Sequence, residues 1–261
     1  MARAVDRIDV NADAGEAYGV WLGTDIDALF EHVSSVNLAC GFHAADPVTM
    51  MRSVRAAQRH GNAIGAHPGY PDLVGFGRRD MDATPDEVYA FTLYQVGALD
   101  AIARACGATL AHVKAHGALY LRMARDRDVA DAFARAVADL ERPLPMTVLA
   151  GPSGASMRAA AEAHGVATLL EAFPDRAYLA DGSLAPRRHP AAIVDDPAEA
   201  AGRAIAMVTQ GVVEAIDGSP IAVEPDTLCV HGDNPGAVEI ARAIAQALDA
   251  SGIAVANPAL A

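Results

Sequence analysis

Seven short stretches of the chain share one pattern, a hydrophobic run that turns polar at its C-terminal end. They are RIDVNAD from Arg7, SSVNLACGFH from Ser34, NAIGAHPGY from Asn62, TLAHVKAHG from Thr109, MTVLAGP from Met146, ATLLEAFPD from Ala167 and TLCVHGDN from Thr227. Each has the length of a strand and a breaker close behind it. The segments between them carry helix caps. Asp46-Pro47, Thr84-Pro85, Asp196-Pro197 and Asn234-Pro235 each set a capping side chain before an N1 proline. Glu87 and Glu199 stand three residues after their caps, which predicts two capping boxes. Gly61, Gly107, Gly165 and Gly211 are placed as helix-ending glycines. Strand and helix alternate almost throughout, so the strands are expected to be parallel and covered by helices.

No G-x-G-x-x-G follows the first strand, which counts against a dinucleotide fold. About seven strands predict a single distorted (β/α) TIM-like barrel spanning residues 1–261, with its chemistry at the C-terminal strand ends. The longest irregular stretches, Pro68–Asp82 and Arg176–Ile193, are candidate lids.

Strand alternation sorts the side chains. Asp9, Asn11 and Asp13 share one face, opposite Ile8, Val10 and Ala12. Asn37 and His43 share a face opposite Val36, Leu38, Cys40 and Phe42. His112, Lys114 and His116 line one face of the fourth segment, His67 ends the third, and His231 and Asp233 alternate with Val230. A lone histidine at a strand end is commonly a hydrogen-bonded core residue. Several histidines and carboxylates at predicted strand tops point instead to one shared pocket.

Lys114 is the single lysine among 20 basic residues. Its place between His112 and His116 suggests a compact cation whose pKa the flanking imidazoles depress. Other signals fail. His112 and His116 have zinc-helix spacing, but the segment reads as strand. Cys40 faces away from His43, GPSGAS is no nucleophile elbow, and Lys114 lacks the glycines of a P-loop. The formal charge of −13 makes nucleic acid or an anionic membrane an unsuitable partner. Three cysteines without a CxxC pair, no apolar N-terminal leader and no bilayer-length apolar run predict a soluble cytoplasmic protein.

With these residues in view, the chain resembles the LamB/YcsF family, the A subunits of bacterial ATP-dependent 5-oxoprolinase. The resemblance runs essentially the whole length. It rests on NADAGE (Asn11–Glu16), SSVNLACGFHAADP (Ser34–Pro47), IGAHPGYPDLVGFGRR (Ile64–Arg79), HVKAHGALY (His112–Tyr120), FPDRAYLADGSLAPR (Phe173–Arg187) and CVHGDN (Cys229–Asn234). Ala14, Ala115, Leu121 and Pro174 depart from the usual motifs without removing an ionisable group. The resemblance implies a barrel similar to the glycoside hydrolase/deacetylase superfamily. It also implies cleavage of 5-oxo-L-proline to L-glutamate, with ATP and magnesium and two further subunits.

For that reaction, ATP would phosphorylate the lactam oxygen and water would attack the activated carbon. Lys114 is the candidate for anion stabilisation. Asp13 or Glu16 is a candidate base, with His43, His67, His112 and His116 as further acid–base candidates. Arg78, Arg176 or Arg187 would clamp the substrate carboxylate. Asn11, Asn37, His231 and Asp233 would complete the substrate site. Helix N-termini opened by Asp46 and Asn234 are candidate anion donors. Tyr70 and Phe76 either close over the ligand or pack on neighbouring helices. Two rival readings stand. One is a stand-alone metal-dependent deacetylase or amidohydrolase, with Asp13, His43 and His67 holding a divalent ion. The other is a non-catalytic subunit that presents 5-oxoproline to its partners.

Overall fold

All seven polar-ended stretches form strands. In the computed structural model, which describes residues 5–257 apart from 22 and 235, the first six are β1 (Arg7–Ala14), β2 (Ser35–Ala39), β3 (Ala63–His67), β4 (Leu110–Val113), β5 (Met146–Leu149) and β6 (Thr168–Ala172). β7 (Val212–Glu214) and β8 (Pro220–Ala222) make a separate antiparallel ribbon. β9 (Thr227–His231) pairs in parallel with both β6 and β1, and so closes β1 to β6 into a barrel. β10 (Ala254–Val255) adds a short parallel pairing at the start of β1. The fold is thus the expected α/β TIM-like barrel of seven parallel strands.

The covering helices are α1 (Ile26–Phe30), α2 (Pro47–His60), α3 (Pro85–Ala105), α4 (Gly117–Arg125), α5 (Arg127–Ala138), α6 (Ala155–Ala163), α7 (Pro197–Gln210) and α8 (Ala237–Ala250). Their starts follow from the caps, with two corrections. At α3 the Thr84 side chain caps Glu87 N, and Glu87 answers to Thr84 N, so the box is complete. At α7 Asp196 caps Glu199 N at 2.7 Å, but Glu199 does not return the bond. A threonine hydroxyl can donate to the glutamate, as it does at 2.8 Å in α3, whereas an aspartate offers only a second negative charge. α8 begins after Gly236, later than expected, because Asn234 Oδ1 accepts from Gly236 N in a tight turn. Pro235 lies outside the described residues. Gly61 and Gly211 close α2 and α7 in the left-handed conformation, at φ 73° and 67°.

The apolar face of each strand packs under the helices, with Val10, Val36, Leu38, Val113, Val148 and Leu228 all buried in one continuous core. The other face looks into the barrel and is polar. Its register makes a level layer, since Asp13 stands opposite both Asn37 and His231, Asn37 opposite Gly65, and Gly65 opposite His112. Gly65 is the gap in that layer that admits the His112 ring, because a Cβ there would overlap the imidazole. Among the described residues no helix is long and apolar enough to cross a membrane.

Candidate active site

The lower part of the barrel interior is a closed hydrogen-bond network. Asp9 accepts from the hydroxyls of Ser34, Ser35 and Thr227. Asn11 Nδ2 donates to Glu171 and Thr227, and Asn37 Nδ2 donates to Asn11 and Asp13. His112 Nε2 donates to Asn37 Oδ1 at 2.6 Å. Every polar atom of the Asn37 amide has a partner inside the protein, as does every polar atom of Asn11. His112 is buried and neutral, its pKa pulled down to about 3 by burial and by Lys114. It does not line the cavity described below.

Lys114 lies just past β4. Its amide donates to Ala66 O and that of His116 to Pro68 O, so the strand-like alternation continues beyond the strand. The ammonium is 2% exposed and donates to Asp13 Oδ1 at 2.8 Å and Cys229 Sγ at 2.9 Å, with Glu171 Oε1 at 2.8 Å. Asn11 Oδ1, at 3.4 Å, is a further acceptor, and so compact a set of partners around one nitrogen suits an ammonium rather than a planar guanidinium. The expected depression of its pKa is overturned. Burial alone would lower it, but Asp13, Cys229 and Glu171 outweigh burial and raise it well above the ordinary value. Lys114 therefore holds a permanent charge beneath Asp13.

Above this layer lies a second group. His43 does not belong to the β2 face. Gly41, at φ 100°, breaks the alternation after Ala39 and a turn carries His43 over the barrel mouth. There it stacks on His116, with ring centres 3.7 Å apart and planes 3° from parallel. His67 Nδ1 donates to Lys114 O at 2.8 Å, and His116 Nε2 donates to Phe76 O at 2.8 Å. His67 Nε2 stands 3.3 Å from Asp13 Oδ2, and His116 Nδ1 stands 3.3 Å from Glu16 Oε1. The donor atoms of Glu16, His43, His67 and His116 all fall within 4.8 Å of one another, which is close enough to share an ion. Of the expected trio Asp13, His43 and His67, the two histidines fall in this group and Asp13 does not; its carboxylate is Glu16, and His116 is its third imidazole.

The two carboxylates here are driven apart in acidity. Burial would raise Asp13, but His67 and Lys114 hold it well below the usual carboxylate range. Burial, Asp13 and Asp233 push Glu16 well above that range. Two neighbouring carboxylates whose acidities are pushed in opposite directions are an arrangement suited to acid–base chemistry.

Phe76 covers the imidazoles, nearly perpendicular to both His43 and His116. It does so at φ 55°, a conformation that costs a non-glycine residue about 1–2 kcal/mol. Tyr70, its companion in the candidate lid, is instead fully buried and belongs to the core.

A cavity of about 760 Å³ opens beside this group, lined among others by Asp13, Glu16, Arg52, Phe76 and Asp233. At its rim Arg78 pairs with Asp233 at 2.6 Å, and Arg187 Nη1 lies 3.8 Å from the same carboxylate. Arg176 is not with them. It is 4% exposed and donates to Ala185 O and Ala192 O, tying together the 176–193 loop from which it comes. Neither helix terminus is free for an anion as expected, because Asp46 itself takes the amides of Val48 and Thr49, and Asn234 takes that of Gly236.

The sequence reading missed Asp175 and Glu171. Asp175 Oδ2 accepts from the His231 backbone at 2.9 Å and from His231 Nδ1 at 2.9 Å, while the His231 ring stacks on Phe173. This fixes the Nδ1–H tautomer and leaves Nε2 able to exchange a proton. Both residues occur in ATLLEAFPD, at the polar end of β6, where the signal lay unread.

Comparison with known proteins bears on the family and the fold. The LamB/YcsF family model matches residues 8–260. The A subunit of 5-oxoprolinase from Thermus thermophilus is 53% identical over 249 residues, covering 95% of this chain and 98% of that one. Its counterpart in Deinococcus radiodurans is 54% identical over 249 residues, covering 95% and 96%. The crystal structure of a lactam utilization protein, also from Thermus thermophilus, superposes with a TM-score of 0.89 at 51% identity, covering 96% of this chain and 99% of that one.

Proposed function

The chain belongs to the LamB/YcsF family, and from that premise we propose that it is the A subunit of an ATP-dependent 5-oxoprolinase. With two further subunits it opens the lactam of 5-oxo-L-proline to L-glutamate. The observation that carries this reading is identity above half, over almost all of both chains, to proteins named as A subunits of 5-oxoprolinase.

A five-membered lactam is a weak electrophile. ATP activates it by transferring its terminal phosphoryl group to the lactam oxygen. Water adds to the activated carbon, the carbon–nitrogen bond breaks, and the ring nitrogen leaves as an amine. A second water releases phosphate, which leaves glutamate, ADP and phosphate as products.

The residues at the cavity suit these steps. Arg78 and Arg187 share Asp233 at the rim, and a substrate carboxylate can replace that partner in a charge-assisted pair. His231, held by Asp175, can take a proton from water and return it to the departing nitrogen. Asp13, kept ionised by Lys114 beneath it, orients the water or the ring N–H. A divalent ion among the histidines would add Lewis-acid polarisation of the lactam oxygen. The same cluster favours the second reading, a metal-dependent amide hydrolase that works without ATP.

Titrating 5-oxo-L-proline into the chain together with its partner subunits tests the substrate. Saturable binding is expected, weakened at least roughly tenfold by Arg78→Ala through loss of a charge-assisted bond. An unchanged affinity would take Arg78 out of the substrate site. No binding by the unmodified proteins would remove the substrate assignment itself.

A further inference from the structure

The imidazoles of His67 and His116 are pinned from outside by backbone carbonyls, Lys114 O and Phe76 O, each at 2.8 Å. A carbonyl can only accept, so the pinned nitrogens carry the hydrogens and the inner nitrogens of the neutral rings carry bare lone pairs. Those inner atoms, His67 Nε2 and His116 Nδ1, face each other 3.1 Å apart, with the rings nearly perpendicular at 87°. Asp13 Oδ2 lies 3.3 Å from the first and Glu16 Oε1 lies 3.3 Å from the second. Glu16 Oε1 is buried and receives no hydrogen bond. The two imidazole lone pairs and Glu16 Oε1 face one another at close range, an arrangement suited to a cation between them.

The spacing suits one. An ion with bonds of about 2.1 Å sets neighbouring ligand atoms about 3.0 Å apart in an octahedron and about 3.4 Å apart in a tetrahedron. The separations of 3.1 Å between His67 Nε2 and His116 Nδ1 and 3.3 Å between His116 Nδ1 and Glu16 Oε1 fall between these limits.

His43 is near enough to join but wrongly oriented. An imidazole binds metal through a lone pair in its own plane. The His43 and His116 rings are 3° from parallel with centres 3.7 Å apart, so an ion in the plane of one lies well outside the plane of the other. Both nitrogens of His43 remain without a hydrogen bond. Its role is to stack on the face of His116.

We infer that His67 Nε2, His116 Nδ1 and Glu16 Oε1 form a binding site for one divalent transition-metal ion, and that His43 is not a ligand. Two imidazoles and a carboxylate suit zinc, manganese, iron(II) or cobalt(II) better than calcium. This inference needs no substrate assignment, so it can fail while the lactam reading stands, and the reverse.

The test is titration of the chelator-treated full-length chain with cobalt(II) chloride, followed by the visible absorption of the bound ion. The unmodified protein is expected to bind about one equivalent. Glu16→Gln, which preserves shape, and His116→Ala should each weaken binding at least roughly tenfold, whereas His43→Ala should leave stoichiometry and spectrum unchanged. Circular dichroism confirms that each variant is folded. No cobalt bound by the unmodified chain would overturn the site. Full-strength binding by Glu16→Gln, or loss on His43→Ala equal to that on His116→Ala, would overturn the ligand assignment.

Discussion

Replacing Lys114 with methionine removes the ammonium and little volume. Asp13 and Glu171 are 5% and 0% exposed, and both lose the cation that stands 2.8 Å from them. Glu171 then keeps the Asn11 amide as its hydrogen-bond donor, and Asp13 keeps Asn37 and its contact with His67. Removing one partner from a buried ion pair costs about 3–5 kcal/mol, because the remaining charge stays desolvated. For a chain of this size, at about 2 °C per kcal/mol, that corresponds to a fall in Tm of roughly 6–10 °C. Turnover should fall as well, since Asp13 loses one of the two neighbours, His67 and Lys114, that lower its pKa. The assay is thermal unfolding followed by circular dichroism. Adding Glu171→Gln to the methionine variant removes one stranded charge and should restore part of the loss. A methionine variant that melts within about 2 °C of the unmodified protein would refute the reasoning, because the carboxylates would then not depend on Lys114.

Asp175→Asn deprives His231 of its carboxylate partner and should lower kcat by about 10²–10⁴ with little change in substrate binding; steady-state kinetics decide, and an unchanged kcat removes the dyad from proton transfer. His112 gives a pH effect. Its pKa falls from 6.5 to about 3 on folding, so the unfolded chain binds more protons between those values. Stability should therefore drop as pH falls below 6.5, by up to about 1.4 kcal/mol per unit, and urea unfolding at several pH values should show a flatter profile for His112→Gln. Gly77→Ala places a Cβ 2.7 Å from His43 Cβ at φ 61°, whereas Gly61→Ala, at φ 73°, meets nothing within 4 Å. The first should cost roughly 2–4 kcal/mol and the second about 1–2, with equal urea midpoints counting against crowding at the histidines.

The barrel was legible because each parallel strand announces itself locally, as an apolar run with a polar end and a capped helix behind it. Asp13, His67, His116 and His231 could be placed at the mouth for the same reason. What escaped depends on which strands become neighbours. In sequence the neighbours of Lys114 are His112 and His116, but the charges that decide its pKa are Asp13 and Glu171 on other strands. Asp175 lay within a recognised segment, and nothing local reveals that β6 meets β9 and brings it to His231. Arg176 reads as an available cation until its loop folds back to supply the carbonyls of Ala185 and Ala192. The three-residue strands β7 and β8 are too short to show a period. His43 reaches the site through the turn at Gly41 rather than along a strand, so alternation assigns it to the right pocket for the wrong reason.

The most direct measurement is glutamate release from 5-oxo-L-proline, with the chain alone, with its two partner subunits, and with and without ATP. The account predicts release only when partners and ATP are both present, and its loss on Asp13→Asn. Release by the chain alone without ATP, or none under any of these conditions, would contradict it.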